Sequence, residues 1–476
     1  MTTTITQRFA RFATEFDELA VPELVGDAVG LHLLDALGCG LAAVRLDVVP
    51  YAGAAASAAE TGPATALGLA EPVPAATAAL VNGITIHALD FDDTHPASIA
   101  HVSAVVVPAA LAAGEAVGAS GAQLSAALLA GNEVACRIGR PAGDAFHVRG
   151  FHATAICGVF GATVAVAKLL ELDERGMVAA LGIAGSMAAG VMAYLTDGSE
   201  TKRVHPGWMA HAAHIAVSLA GNGATGPAAV LEGRNGVYGA FIDRHDIDVE
   251  ELTGDLGFTW ETLRIAFKPY PACHFVHAPL DALDQLRHEH GFTSEDIERI
   301  TVFSPAAGIE LVGSPLERKR RPQTPYEGKF SAPFAVAALL CTGVVEAATF
   351  TDALLVDPRI LALADRVDCA EREYDTFPSS LPGGVRVELA GGGRLERHVL
   401  HQRGGAENPM GADEIVAKFA TNASGALPAE AASRLERFAL ALSDHGDLEP
   451  LGLIRRRDAP APARDGGVLG DLGSGL

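Results

Sequence analysis

The sequence predicts a mainly α protein: a large all-helical domain interrupted by a smaller α+β unit. Three observations predict it. Up to residue 265, apolar side chains recur at helical spacing and no strand-like alternation occurs. From Phe267 onward, alternating strand-like runs appear among helical ones. Ala and Gly are abundant while aromatics make up only 6% of the chain, which suits helices packed closely through small residues.

The elements follow in order. Residues 22–45 form the first helix, with Pro22 suited to a first-turn position. Residues 74–89, 103–118, 121–140, 153–171, 174–195 and 207–220 are the next, separated by breaks containing Gly, Pro, Asp or Ser. Residues 177–195 carry no charge and approach membrane-spanning length. They are Gly- and Ala-rich and lack basic flanks, so they read as a buried core helix broken near Gly185. Residues 276–290 are amphipathic and helical, and 299–304 read as a strand. Helical patterns return at 330–342 and 358–365. Residues 385–390 and 394–401 alternate around Gly391, Gly392 and Gly393, the pattern of a β-hairpin. Residues 411–444 are helical again, with Ile415, Phe419, Leu435, Phe438 and Leu442 available to pack on the first domain. The predicted organisation is a helical domain over 1–265, an α+β domain over 266–405, a returning helical segment over 406–455, and a disordered tail over 456–476. No fixed period marks a solenoid.

With 58 acidic against 35 basic residues, the net charge is −23 over 476 residues. That argues against nucleic-acid and anionic-membrane partners, both of which want a basic face. It leaves room for a small anionic substrate in a local cationic pocket. The basic run Arg318-Lys319-Arg320-Arg321 reads as a solvated segment in this acidic context. Six cysteines lie far apart with no CxxC spacing, which excludes the usual zinc and iron–sulfur patterns. The N-terminal residues show no basic-then-apolar leader pattern, so cytoplasmic residence with reduced thiols is expected. Phosphate-loop, dinucleotide-binding and nucleophile-elbow motifs are missing.

Chemistry concentrates in four places. Residues 87–101 hold three carboxylates (Asp90, Asp92, Asp93) and three imidazoles (His87, His95, His101) between apolar stretches. Burying such groups is costly unless they are paired. If 84–93 is the end of a helix, His87, Asp90 and, less closely, Asp93 share a face. The functional reading is acid–base chemistry by His101 or Asp90. The bland one is a capping and salt-bridge network. A divalent metal on Asp90, Asp93 and a His is a sharper alternative that no recognised spacing supports. Next, His152 stands at the head of an apolar helix, where an anion would bind; a satisfied structural histidine is the equal alternative. Third, Lys202, Arg203 and His205 follow the uncharged stretch, either presenting positive charge to a carboxylate or lying in a solvated loop. Fourth, Lys268-Pro269-Tyr270-Pro271-Ala272-Cys273-His274 is a stiff segment at the domain junction, where clefts form.

Together these segments resemble the MmgE/PrpD family. The resemblance is carried by Leu34-Asp35-Ala36-Leu37-Gly38-Cys39, by Asn82-Gly83 with His87 through Thr94, and by His101 before Pro108. It continues through Gly150-Phe151-His152, Thr201-Lys202, Phe267 through His274, and Lys329-Phe330-Ser331. It covers about residues 5–450. The family includes 2-methylcitrate dehydratase, cis-aconitate decarboxylase and iminodisuccinate epimerase. The resemblance implies a helical domain with an α+β lid, a homodimer, no metal or organic cofactor, and a di- or tricarboxylate held between the domains. Carried over by position, Asp90, Thr94 and His101 match the first active-site segment and His152 the second. Lys202 matches the third, and Lys268 with His274 the fourth. Three departures stand out: Ala153 where many relatives have Pro, Phe334 where some have Tyr, and a Thr94-to-His101 spacing about one residue off that of the decarboxylases. The last two weaken transfer of the decarboxylase activity.

The expected chemistry is β-elimination of water. Lys202 and Lys268 bind carboxylates and stabilise developing charge. His101, oriented by Asp90, takes the proton, and His152 or His274 protonates the departing hydroxyl. Thr94 joins the lysines in binding substrate. Epimerisation and decarboxylation are alternatives on the same scaffold. A metal-dependent hydrolase and a non-catalytic carboxylate-binding protein are alternatives of other classes.

Overall fold

The structure, a computed structural model, describes residues 3–16, 21–56 and 60–455. The predicted tail over 456–476 lies outside the described residues. The protein is mainly helical, with one four-stranded sheet among the described residues. The helices of the first part are α1 (Ile5–Glu15), α2 (Glu23–Arg45), α3 (Pro50–Ala56), α4 (Ala75–His87), α5 (Ser103–Val117) and α6 (Gly121–Gly139). They continue with α7 (Ala145–Val148), α8 (Ala153–Leu169), α9 (Glu174–Gly185), α10 (Tyr194–Asp197) and α11 (Thr201–Gly221).

Two of these depart from expectation. The uncharged run predicted as one helix to residue 195 ends at Gly185, where a Cβ would strike the Val230 side chain. The next residues turn, and the short α10 follows. Helix α11 begins at Thr201, not at 207, so Lys202, Arg203 and His205 are in its first two turns and not in a loop. Helix α1, which the helical spacing did not single out, is started by a capping box between Thr4 and Gln7. Helix α2 is long and apolar enough to cross a membrane, but 78% of its most apolar window is buried inside the protein.

Small residues let the helices that frame the site touch backbone to backbone. At the α4–α11 crossing, a Cβ on Gly83 would lie 2.6 Å from Cα of Gly207, and one on Gly207 would lie 2.3 Å from the Leu80 carbonyl oxygen. No larger side chain fits there, and this contact sets the distance between the segments bearing Asp90 and Lys202.

In the second part, β1 (Ile297–Ser304) pairs parallel with β2 (Val367–Glu371) and antiparallel with β3 (Gly383–Leu389). Strand β3 pairs with β4 (Arg394–Val399) around the triple-glycine turn, giving the order β2-β1-β3-β4. Strand β2 was not anticipated. Helices His277–His290 and Ala332–Thr342 supply much of the apolar packing around this sheet. The predicted 411–444 helix is two, Ala412–Ala423 and Ala429–Leu440, divided at Gly425 (φ +78°) and Pro428.

The buried apolar residues among those described fall into two clusters. One runs from Ile5 to Ile265 and takes in Phe419, Leu435, Phe438 and Leu442 of the returning helices. The other spans Ala272 to Val387. The chain passes between them at Phe267 and again near Gly404, and the two passages touch: the Phe267 N–H donates to the Gly404 carbonyl at 3.0 Å. Beside them Thr94 and Ala266 exchange backbone hydrogen bonds of 2.9 and 2.8 Å.

Candidate active site

The site is built on a sharp turn. Helix α4 stops at His87, and Asp90 adopts φ +53°, a left-handed conformation rare outside glycine. The expected shared helical face of His87, Asp90 and Asp93 therefore does not form. Instead each carboxylate has its own partners. Asp93 accepts from Ser103 and meets His32 Nδ1 at 2.7 Å, where it anchors the start of α5. Asp92 Oδ2 lies 2.8 Å from His87 Nδ1 and 3.1 Å from His101 Nδ1. Asp90 Oδ1 accepts from Lys202 Nζ at 2.9 Å and from Lys268 Nζ at 3.1 Å. Lys268 also donates to the Asp90 carbonyl at 2.9 Å.

His101 closes the group. Its backbone N–H donates to Thr154 Oγ1 at 3.0 Å, and its Nδ1 lies 3.3 Å from Thr94 Oγ1. With Nδ1–H directed at Asp92, the free Nε2 faces Asp90 Oδ1 at 3.6 Å. Asp92, not Asp90, is therefore the carboxylate placed to orient this ring. His152, the N-cap residue of α8, makes no capping bond with its side chain; its Nδ1 lies 3.2 Å from His205 Nδ1. Its ring centroid is 5.8 Å from that of His87 and 6.4 Å from that of His101. His274 is buried with neither ring nitrogen hydrogen-bonded, and it feels the charges of Lys268, His101 and Asp90. Asp90, Thr94, His101, Lys202 and Lys268 thus form one contact network. His152 stands beside it, and His274 lies within its electrostatic reach.

The metal reading changes in its residues. Asp90 is occupied by two ammonium groups and Asp93 by His32 and Ser103, so neither is available as proposed. The atoms that do converge are on His87, Asp92 and His101, within 4.8 Å of one another. Two buried lysines beside this trio oppose a further cation.

The MmgE/PrpD N-terminal domain model matches residues 7–250, and the MmgE/PrpD C-terminal domain model matches residues 270–444. The chain belongs to the MmgE/PrpD family. Among its relatives is a cis-aconitate decarboxylase of Aspergillus terreus, 27% identical over 472 residues, covering 94% of this chain and 95% of the relative. A cis-aconitate decarboxylase of Homo sapiens is 29% identical over 405 residues, 82% of this chain and 81% of the relative. A 2-methylcitrate dehydratase of Cupriavidus necator is 26% identical over 286 residues, 56% of each. These relatives are enzymes, a decarboxylase and a dehydratase kind, and they support a lyase-type function for this MmgE/PrpD protein.

Electrostatics divide the MmgE/PrpD site into fixed charges and neutral imidazoles. Burial alone would raise the Asp90 carboxyl, but Lys202 and Lys268 overcome it and hold the group well below the usual carboxylate range. Burial would likewise lower Lys202, yet Asp90 and the phenols of Tyr326 and Tyr194 hold it well above its ordinary value. Burial, reinforced by Lys202, keeps His152 well below 6.5. Burial lowers His87 to about 4 against the pull of Asp92, and it lowers His147 and His205 to about 4 as well. These rings are neutral when folded and take up protons when unfolded at mildly acidic pH. Their stabilising contribution is complete above the unfolded value of about 6.5 and is lost as pH falls toward 4. Asp90 and Asp92, both depressed, add a further loss only below about 3.8. The thermal midpoint is therefore expected to fall from about pH 7 to about pH 4.5, each imidazole contributing a slope of up to about 1.4 kcal/mol per pH unit, with the carboxyls of Asp35 and Asp281, raised by burial to about 6, offsetting part of it below that pH. A flat midpoint over that range in thermal scans would contradict the neutral-imidazole description.

Further residues belong to the site. His87 and Asp92 were noted but unassigned. Lys329 is buried without a carboxylate; its Nζ donates to the carbonyls of Leu89 at 2.7 Å and Pro271 at 3.0 Å, and burial lowers it to about 7. It ties together the two segments that carry Asp90 and Lys268. Cys273 is buried with its thiol pushed up, as befits a packing residue and not a nucleophile.

Proposed function

We propose that this protein is a cofactor-independent lyase that eliminates water from a hydroxy di- or tricarboxylate. The observation that carries the reading is the placement of Asp90 between two buried ammonium groups, with His101 Nε2 3.6 Å away. Two cations on one carboxylate leave a net positive charge in a buried place, which an anion can neutralise. Each ammonium has three N–H groups. Asp90 takes one from Lys202 and two from Lys268, leaving both lysines able to grip a substrate carboxylate. His101, its Nδ1–H held by Asp92, accepts the proton from the carbon next to that carboxylate. The electron pair moves onto the carboxylate oxygens, where the lysines stabilise it. It then returns to form the double bond as the C–O bond breaks. The departing hydroxyl takes a proton from the N–H of neutral His152 or His274. Thr94 steadies the His101 ring and lies within reach of the same substrate.

A second reading, decarboxylation, is favoured by the cis-aconitate decarboxylases, which align over 74% to 94% of the chain where the dehydratase aligns over 56%. Against it stands Phe334, buried against Phe350 and without the hydroxyl that some relatives carry there. Proton NMR in heavy water with 2-methylcitrate, citrate, cis-aconitate and substituted succinates separates the outcomes. Dehydration is expected: a vinyl signal from citrate, or collapse of the methyl doublet of 2-methylcitrate to a singlet as its methine proton is lost. Loss of a carboxylate carbon instead would select decarboxylation, and exchange of the carbon-bound proton without net change would select epimerisation. No turnover of any acid, together with a chelator-sensitive hydrolysis, would overturn the lyase reading.

A further inference from the structure

We propose that His205 is a proton-relay residue that acts through His152, connecting the buried site to its part-exposed edge. The inference rests on the acid–base reading above. His152 is 2% exposed and His205 lies half-buried beside it, with the two Nδ1 atoms 3.2 Å apart and the ring centroids 5.3 Å apart. Two nitrogens at that distance share one proton: one is the donor and the other must be bare. The tautomer of either ring therefore fixes that of the other.

The surroundings hold this pairing. The His152 backbone N–H donates to the Gly190 carbonyl at 2.9 Å, and Phe151 forms a backbone bridge with Val191. Gly190 has φ +120°, and a Cβ there would lie 2.9 Å from Ala155 Cβ and 3.2 Å from His205 Nδ1. The backbone thus passes against the imidazole pair at a position with no room for a side chain. His205 is one helical turn beyond Lys202 on α11, so both project toward the same region. Lys202, His87 and His147 act on His152 electrostatically, and the Tyr194 ring stands 6.0 Å from that of His205. Lys202 disfavours an imidazolium on either ring.

A tautomer shift avoids that imidazolium. With His205 Nδ1–H donating to His152 Nδ1, His152 carries its proton on Nε2. It gives that proton to the departing hydroxyl, forming water, and receives the His205 proton at Nδ1. His205 in turn takes a proton from solvent at Nε2. Both rings end neutral, and the net transfer is one proton from solvent to the leaving group. The proton that His101 removed returns to solvent separately, so the elimination is balanced.

The test uses the full-length enzyme and an acid that the wild type turns over. In His205→Ala, kcat is expected to fall about 10²-fold, with KM changed by less than about threefold. Added imidazole is expected to restore part of the lost rate. His205→Gln can still donate to His152 but cannot pass a proton through, so it should be as slow as the alanine variant. An unchanged kcat in His205→Ala, or full activity in His205→Gln, would overturn the relay. Independently of turnover, ring-15N NMR of the wild type should show one protonated and one bare Nδ1 across the pair. Two bare Nδ1 atoms would overturn the pairing. A wild type inert toward every acid would strike the lyase reading, while the NMR result judges the imidazole pair by itself.

Discussion

Replacing His101 with alanine is expected to lower kcat by about 10²- to 10⁴-fold, the usual range for losing a positioned acid or base. The geometry explains why no neighbour can substitute. His101 offers a ring nitrogen whose partner atom is pinned by Asp92 at 3.1 Å, which leaves Nε2 free. His87 also sits on Asp92, but burial lowers its imidazole to about 4, which makes it a weak base. His152 is committed to His205 at 3.2 Å. Truncation at 101 leaves Asp92 its bond from His87 at 2.8 Å, so the fold should survive. The glutamine variant serves as a control, because its amide can still donate to Asp92 while being no base. Both variants should keep a native thermal midpoint, and both should lose exchange of the substrate's carbon-bound proton with heavy water. Full activity in either would remove His101 as the base.

The largest effect on stability is expected at Asp90. Its carboxylate is the shared counter-charge of Lys202 and Lys268, and all three side chains are buried. Taking one partner out of a buried ion cluster leaves charges uncompensated and costs about 3–5 kcal/mol. Asparagine is the right replacement, because it tolerates the left-handed backbone at φ +53° nearly as well as aspartate does. The change then reports charge and not backbone strain. Chemical denaturation should register the loss, and Asp90→Asn combined with Lys202→Met should be less destabilised than the sum of the two single changes. A loss under about 1 kcal/mol in Asp90→Asn would mean that the pair is not holding the fold.

The helices were legible wherever apolar spacing and a Gly or Pro stop agreed, as in α5, α6 and α8. They were misjudged where one residue was weighed too heavily. The helix expected over 207–220 was started just past Pro206, yet inside α11 that proline forfeits only the bond to the Lys202 carbonyl, a loss that a helix of 21 residues absorbs. Starting that helix at 207 hid the fact that Lys202 and His205 share a face. The site followed the same pattern. Its residue types stood in short motifs, but Asp90 meets Lys202 across 112 positions of sequence and Lys268 across 178, and no local pattern encodes that pairing. Asp90, Asp92 and Asp93 look alike in the sequence. The left-handed turn at Asp90 sends them to lysines, imidazoles and a helix start respectively, and only the backbone conformation distinguishes them.

The bond from the Phe267 N–H to the Gly404 carbonyl means that the α+β segment begins and ends at one point on the helical body. A segment clipped at its base in this way can be swapped between homologues, shortened or enlarged with little disturbance to the helices beneath it. Any such graft would nonetheless have to supply its own cations, since Lys268 and Lys329 both reach back from it to the turn carrying Asp90. Drift in the cap is therefore constrained less by its own folding than by an electrostatic obligation to a surface it does not contain.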